Sequence, residues 1–317
     1  MKPIPRGSNQ VLRCVVVSIK TLCYMIMNVL SLFDGISCAY EALDRAGIAV
    51  KSYTAYEIDK YAICVSKRNH PNIVHKGDVR ELKEAIEVDL LIGGSPCQDL
   101  SVAKKDRKGL DGDRSGLFWE YVRIKELCKP KYFILENVAS MSKDARDTIS
   151  IALGVDPVMI DAALVSAQSR KRLFWTNIKF DIPVDRGILL KDVVLPDSDR
   201  AILGCGRNIG RRLTADGTRA DNDKSIKITR RIEVRDDGKS GTLTHVLKDN
   251  VIVYDTNEYR NLTPIECERL QGLPDGYTEG ISNTQRYKCL GNAFNVDVVA
   301  SIVSACIGFL YCSVLLP

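Results

Sequence analysis

Residues 28–47 read NVLSLFDGISCAYEALDRAG, and the fold follows from them. NVLSLF is an apolar run of strand length. A polar turn, Asp34-Gly35-Ile36-Ser37, comes next. A helical stretch from Cys38 to Ala46 follows, with Gly47 placed to cap its end. The unit then repeats: SYTAYE predicts a strand ending at Glu57, and a helix from about Asp59 to Asn69 is stopped by Pro71. Val88–Gly94 (VDLLIGG) and Lys131–Val138 (KYFILENV) are buried-strand patterns, and VMIDAALV and RLFWTNI supply two more. Strands alternating with helices imply parallel pairing. The expectation is an α/β fold with a doubly wound, mostly parallel sheet whose ligands sit at the carboxyl ends of its strands.

The rhythm breaks after Phe180. Between Arg200 and Lys248 the chain is rich in Gly, Asp and Asn, shows no helical period, and reads as an irregular module. Twelve basic residues there face six acidic ones, a surplus that covers the +5 of the whole chain. A basic module inserted into a nucleotide-type fold points towards phosphate backbones. Order returns at Thr263-Pro264-Ile265-Glu266, a capping box with proline in the first turn, and a last helix begins near Asn295. The expected division is 27–179 for the main domain, 180–258 for the smaller insert, and 259–317 for a return segment completing the main domain.

Composition removes several classes. The 317 residues are 45% hydrophobic and 27% charged, as in a folded globular chain. Eleven scattered cysteines without a C-x-x-C pair, and only three histidines, exclude a disulfide framework and argue against a metal site. A reduced, cytoplasmic setting is expected. Val11–Met27 is broken by Arg13 and Lys20, and no small-residue cleavage site follows it. Residues 1–26 are therefore expected to be a dispensable extension. Uncharged Val298–Pro317 reads as a buried last helix rather than a membrane span.

The turn after the first strand holds one glycine, too few for the dinucleotide fingerprint, so a nicotinamide enzyme is disfavoured while a nucleoside ligand without a pyrophosphate fits. Glu57, 22 positions beyond Gly35, is placed for ribose hydroxyls, and Asp78 for an exocyclic amine. In Gly93-Gly94-Ser95-Pro96-Cys97-Gln98, a loop at a strand's carboxyl end carries a cysteine at its crest. The neighbouring strand ends in Glu136-Asn137. Arg170 and Arg172, two apart, project to one face if extended. A thiol, a carboxylate and two guanidiniums could therefore converge on one crevice.

From Met27 onward these stretches resemble, in order, the motifs of the DNA cytosine-5 methyltransferases. SLFDG is similar to the family's cofactor turn, GGSPCQDLS to its catalytic loop and LENV to its glutamate motif. SAQSRKRLFW is similar to its arginine motif, LTPIECERLQGLPDGY to the segment after the recognition module, and GNAFNV to its closing cofactor motif. The wording of SLFDG, GGSPC and PVMIDAALVSAQSRKR is closest to the mammalian de novo branch. The resemblance implies a methyltransferase fold dependent on S-adenosylmethionine, the insert serving as target-recognition domain. It also implies a catalytic set of Cys97, Glu136, Arg170 and Arg172: the thiolate adds to C6 of cytosine, Glu136 neutralises N3, Arg172 binds O2 and Arg170 helps position the strand. No histidine sits in these motifs, so water or hydroxide is expected to take the C5 proton.

By the same resemblance the cofactor touches Phe33, Asp34, Gly35, Ile36, Glu57, Ile58, Asp78, Val79, Pro96, Leu117, Asn292 and Phe294. Double-stranded DNA is the expected partner, with the target base flipped out of the stack. Contacts to it are expected from Gln98 in the catalytic loop, from Ser101, Lys104, Lys105 and Arg107 in a mobile loop spanning Ser101 to Arg114, and from Arg211, Arg212, Arg230 and Arg231 in the insert. The protein is expected to be a monomer with no metal and no membrane. Restriction, phage and epigenetic roles all fit the motifs, a cognate restriction endonuclease accompanying the first. A tRNA methyltransferase and a catalytically silent DNA-binding relative are the rivals.

Overall fold

The computed structural model describes residues 25–96, 116–196, 200–244, 250–255 and 258–314, with side chains of the last helix described to Ile307. Cys97, Gln98, Ser101, Lys104, Lys105 and Arg107 lie outside the described residues, as do residues 1–24. The strands of the main domain are β1 (Ile26–Leu32), β2 (Ala49–Tyr56), β3 (Val74–His75), β4 (Leu90–Gly94), β5 (Tyr132–Val138), β6 (Val158–Asp161) and β7 (Lys171–Thr176). They form one sheet in the order β3-β2-β1-β4-β5-β7-β6. The first five are parallel, whereas β7 runs antiparallel to both β5 and β6. Parallel pairing therefore fails for the last two strands, because only residues 162–170 join β6 to β7, too few for a crossover.

The helices α1 (Cys38–Arg45), α2 (Lys60–Asn69), α3 (Leu117–Cys128) and α4 (Lys143–Leu153) connect these strands, while α5 (Pro264–Leu270), α6 (Asn283–Asn292) and α7 (Val296–Val314) belong to the return segment. Alternation along β1 sorts the core into two layers. Val29 packs with residues of α1, α2 and α7, including Leu43, Val65 and Val303. Leu30 and Leu32 pack with α3 and α4 through Phe118, Tyr121, Ile124 and Ile149. The uncharged last helix is buried through Val296, Val299, Ile302 and Val303. Among the described residues no single helix is long and apolar enough to cross a membrane. The α5 capping box forms as the sequence predicts: Thr263 Oγ1 accepts from Glu266 N at 3.2 Å, and Glu266 Oε2 accepts from Thr263 N at 2.7 Å.

Two boundaries shift. Met25 is buried, its carbonyl accepts from Ala49 N at 2.8 Å, and Ile26 pairs with Ala49, so the core reaches two residues before Met27. The insert is not irregular either. Strands β8 (Gly204–Arg212), β9 (Ile228–Val234), β10 (Val251–Val253) and β11 (Tyr259–Asn261) make an antiparallel sheet in the order β11-β10-β8-β9. Because β11 belongs to this sheet, the insert runs past residue 258.

Candidate active site

In the strand order, β1 has β2 on one side and β4 on the other, so consecutive connections leave it in opposite directions and open a crevice at the carboxyl edge. The turn after β1 lines that crevice and is conformationally unusual. Phe33, Gly35 and Ser37 all have positive φ, at 57°, 61° and 61°. Two of these are non-glycine residues in a costly region, so surrounding contacts must hold them. Asp34 is one such brace. It is 5% exposed and accepts from Ser37 Oγ at 2.5 Å and Tyr53 OH at 2.7 Å. Burial raises its carboxyl above the usual range, opposed by those hydroxyls. The Asp34 side chain thus points into the protein. From the return segment, Tyr277 OH donates to Ile36 O at 2.8 Å.

Glu57, just past the end of β2, accepts from Gly35 N at 2.9 Å and from the amides of Ile58 and Asp59 at 2.8 Å. Beside it Ile58 is 73% exposed, an apolar side chain at the rim of a cleft. Asp78 caps a short turn and takes Arg80 in a fork, with Nε at 3.0 Å and Nη2 at 2.5 Å. Those hydrogen bonds hold its carboxyl below the usual range. Val79 is buried behind it, Pro96 and Leu117 are half-buried, and Asn292 is exposed at the end of α6. A carboxylate beside an exposed aliphatic face and a second carboxylate one strand over fit a nucleoside. These residues could therefore hold the nucleoside part of a cofactor.

The chemical centre lies one strand further. Glu136 on β5 sits opposite Gly94 on β4, and its Oε1 meets Arg172 Nε at 2.8 Å. Both side chains are mostly buried, at 14% and 16% exposed. Close approach explains the glycines. A Cβ on Gly94 would lie 2.9 Å from the Phe294 ring and 3.2 Å from Glu136 Oε2, and one on Gly93 would lie 2.7 Å from Leu32 O. Glu136, Arg170, Arg172, Phe174 and Phe294 line one small pocket. Asn137, next along β5, donates to Ser95 O at 3.2 Å and Ser95 Oγ at 3.1 Å, which fixes the chain two residues before Cys97. Neither Asn137 nor Ser95 stands out in the sequence as a support, although their places beside Glu136 and Pro96 are the signal. The two arginines part company here: Arg172 meets the carboxylate, whereas Arg170 is 3% exposed and donates to three backbone carbonyls. Both nonetheless line the same pocket, Arg170 from the position just before β7.

The chain matches the C-5 cytosine-specific DNA methylase family over residues 27–194 and 206–308. It belongs to that family. The Type II methyltransferase M.NgoPII of Neisseria gonorrhoeae is 29% identical over 333 residues, spanning 89% of this chain and 96% of the relative. M.FnuDI of Fusobacterium nucleatum is also 29% identical, over 86% and 92%. Among solved structures, the S. pombe Dnmt2 methyltransferase superposes with a TM-score of 0.64 at 19% identity, covering 90% of this chain and 99% of the other, a likeness of fold.

In this methylase the insert's arginines are mostly committed to their own ribbon. Arg211 forks onto Glu233 at 2.9 and 2.8 Å and reaches Asp221 at 3.2 Å. Arg231 pairs with the same Glu233 at 3.0 Å, and Arg212 Nε donates to Ile226 O at 3.0 Å. Arg230 differs: it is exposed opposite Gly210, with no ion pair among the described residues. No cluster of three metal-ligating side chains occurs among the described residues.

Proposed function

We propose that this methylase transfers a methyl group to C5 of a cytosine flipped out of duplex DNA, with Cys97 as nucleophile. The observation that carries the reading is the Glu136–Arg172 pair at the carboxyl edge, one strand from the loop that leads to Cys97. Cytosine C5 is a weak nucleophile. The Cys97 thiolate adds to C6, and the electron pair it brings moves through the ring towards N3 and O2. Glu136 holds a proton at N3 and Arg172 holds O2, so the charge that develops meets partners already in place. When bound, S-adenosylmethionine supplies the electrophilic methyl for C5. Loss of the C5 proton, with water or hydroxide as acceptor, expels the Cys97 sulfur and restores the aromatic ring. Glu57, Ile58, Asp78 and Phe294 are the side chains proposed to hold the cofactor, with the backbone of Phe33 to Ile36. The kinship with Type II methyltransferases supports a restriction–modification role.

The test is a duplex carrying 5-fluorocytosine, whose C5 cannot lose its substituent as a proton. With cofactor present, a denaturant-resistant adduct is expected on Cys97, and none with Cys97→Ala. Turnover without an adduct would discard the covalent route, and transfer to tRNA in place of DNA in a parallel assay would move the substrate class.

A further inference from the structure

Arg170 joins two segments that reach the site from distant parts of the chain. Its Nη1 donates to Leu243 O at 3.0 Å, in the recognition module, and its Nη2 donates to Gly291 O at 3.0 Å, in the last turn of α6, and to Ala293 O at 2.9 Å, in the loop that carries Phe294. Its own amide donates to Asp161 Oδ1 at 2.7 Å, which anchors the junction to β6. A planar guanidinium with fixed N–H directions suits this task, and an ammonium does not reproduce it.

Neighbouring contacts pin the recognition side. Ser240 N donates to Ala167 O at 2.7 Å, Ser169 N donates to Ser240 O at 2.9 Å, and Thr242 Oγ1 donates to Ser169 O at 2.8 Å. The buried Lys239 Nζ donates to Ala163 O, Ser166 O and Ile188 O at 2.8, 3.2 and 2.5 Å. The segment between β9 and β10 is thus stitched to the 162–170 link that leads into the strand presenting Arg172. On the other side, the loop held by Arg170 brings Phe294 against Gly94, beside Glu136. Gln271 Nε2 supports the same junction, at Leu290 O in α6 and Ala293 O in the loop.

We propose that Arg170 is a positioning residue, not a DNA contact, and that it sets the recognition module and the cofactor-side loop in register across the active site. The inference rests on the methyltransferase reading in so far as DNA and S-adenosylmethionine are the two ligands. The test is Arg170→Met and Arg170→Lys, compared with the wild type in steady-state methyl transfer. KM for the cofactor and KM for DNA rise together, about tenfold or more, while kcat stays within about threefold and Lys recovers only part of the loss. The salt dependence of DNA binding keeps its slope. A rise in KM for DNA alone with a slope lower by about one would make Arg170 a phosphate contact and overturn the proposal. Unchanged KM values with a lower melting temperature would reduce it to packing and also overturn it.

If Arg170→Met does not fold, Lys239→Met loosens the recognition side alone. KM for DNA then rises and KM for the cofactor does not. A rise in both would show a route that bypasses Arg170 and overturn the proposal. Affinity of the Arg170 variants for S-adenosylhomocysteine without nucleic acid tests the hold on the Phe294 loop independently of the substrate class. A wild type that binds the cofactor but leaves DNA unmethylated would fail the functional reading and not this one.

Discussion

The carboxyl edge of the large sheet and the β8–β9 ribbon both set arginines beside carboxylates, but to different ends. At the edge a single pair, Glu136 with Arg172, lies at the end of a buried strand with a glycine opposite and an aromatic ring alongside. On the ribbon two carboxylates are shared among three arginines: Glu233 serves Arg211 and Arg231, and Asp221 serves Arg211 and Arg219. The first arrangement aims charge into a pocket. The second folds charge back on the surface that carries it. A basic surplus therefore measures the field around a module, not the number of guanidiniums it can offer to a partner.

The sharpest way to break the comparison is at Glu136. Glu136→Gln keeps the shape but removes the carboxyl proton that the proposed mechanism places at N3. A fall in kcat of about 10²–10⁴-fold is expected, with KM for DNA within a few-fold of wild type. Steady-state kinetics on a hemimethylated duplex measures it. A variant that keeps kcat and loses only affinity would make Glu136 a binding group, and the edge would then resemble the ribbon.

On the ribbon the expected effects are smaller and divide by residue. Arg230→Ala weakens DNA binding several-fold at low salt and lowers the slope of log K against log salt by about one. Arg211→Ala leaves that slope near the wild-type value and instead loosens the ribbon, seen as faster amide exchange across β8 and β9. Equal slopes for the two variants would erase the distinction between a scaffolding arginine and one that reaches the partner.

What the sequence makes legible follows the same divide. The unit β1–turn–α1 can be read because its signals agree: apolar runs of strand length, a helical stretch, and Gly47 at a φ of 72° where the chain must turn. Glu136 can be read because a carboxylate at the end of a buried strand has few structural reasons to be there. The antiparallel β7 is hidden, since RLFWTNI carries the same pattern as a parallel strand, although its short link from β6 is a usable signal. The ribbon is hidden more deeply. GCGRNIGRR has three glycines in nine residues and reads as loop, yet a Cβ on Gly206 would lie 2.5 Å from Val253 and 2.6 Å from Ile232. Those glycines answer to neighbours that are remote in sequence. Arg170 is opaque for the same reason, because its role depends on carbonyls 73 to 123 positions away.

The smallest effect sharpens the comparison through pH. The fork from Arg211, with Arg231 adding to it, holds the Glu233 carboxyl down to about 2, against an ordinary value of 4.5. A carboxyl whose pKa is depressed by folding contributes stability above its unfolded value and loses it as pH falls through the folded one. The window for Glu233 therefore runs from about pH 4.5 down to about 2, and above it the ribbon is indifferent to acid. Because these side chains are solvent-accessible, salt screens the contribution and it stays modest. A carbon-detected titration of the Glu233 carboxylate is expected to show a midpoint far below the ordinary glutamate value, returning towards it in Arg211→Ala. An ordinary midpoint in the unaltered protein would mean that the fork does not persist in solution. Arg211 would then join Arg230 as a guanidinium available to DNA.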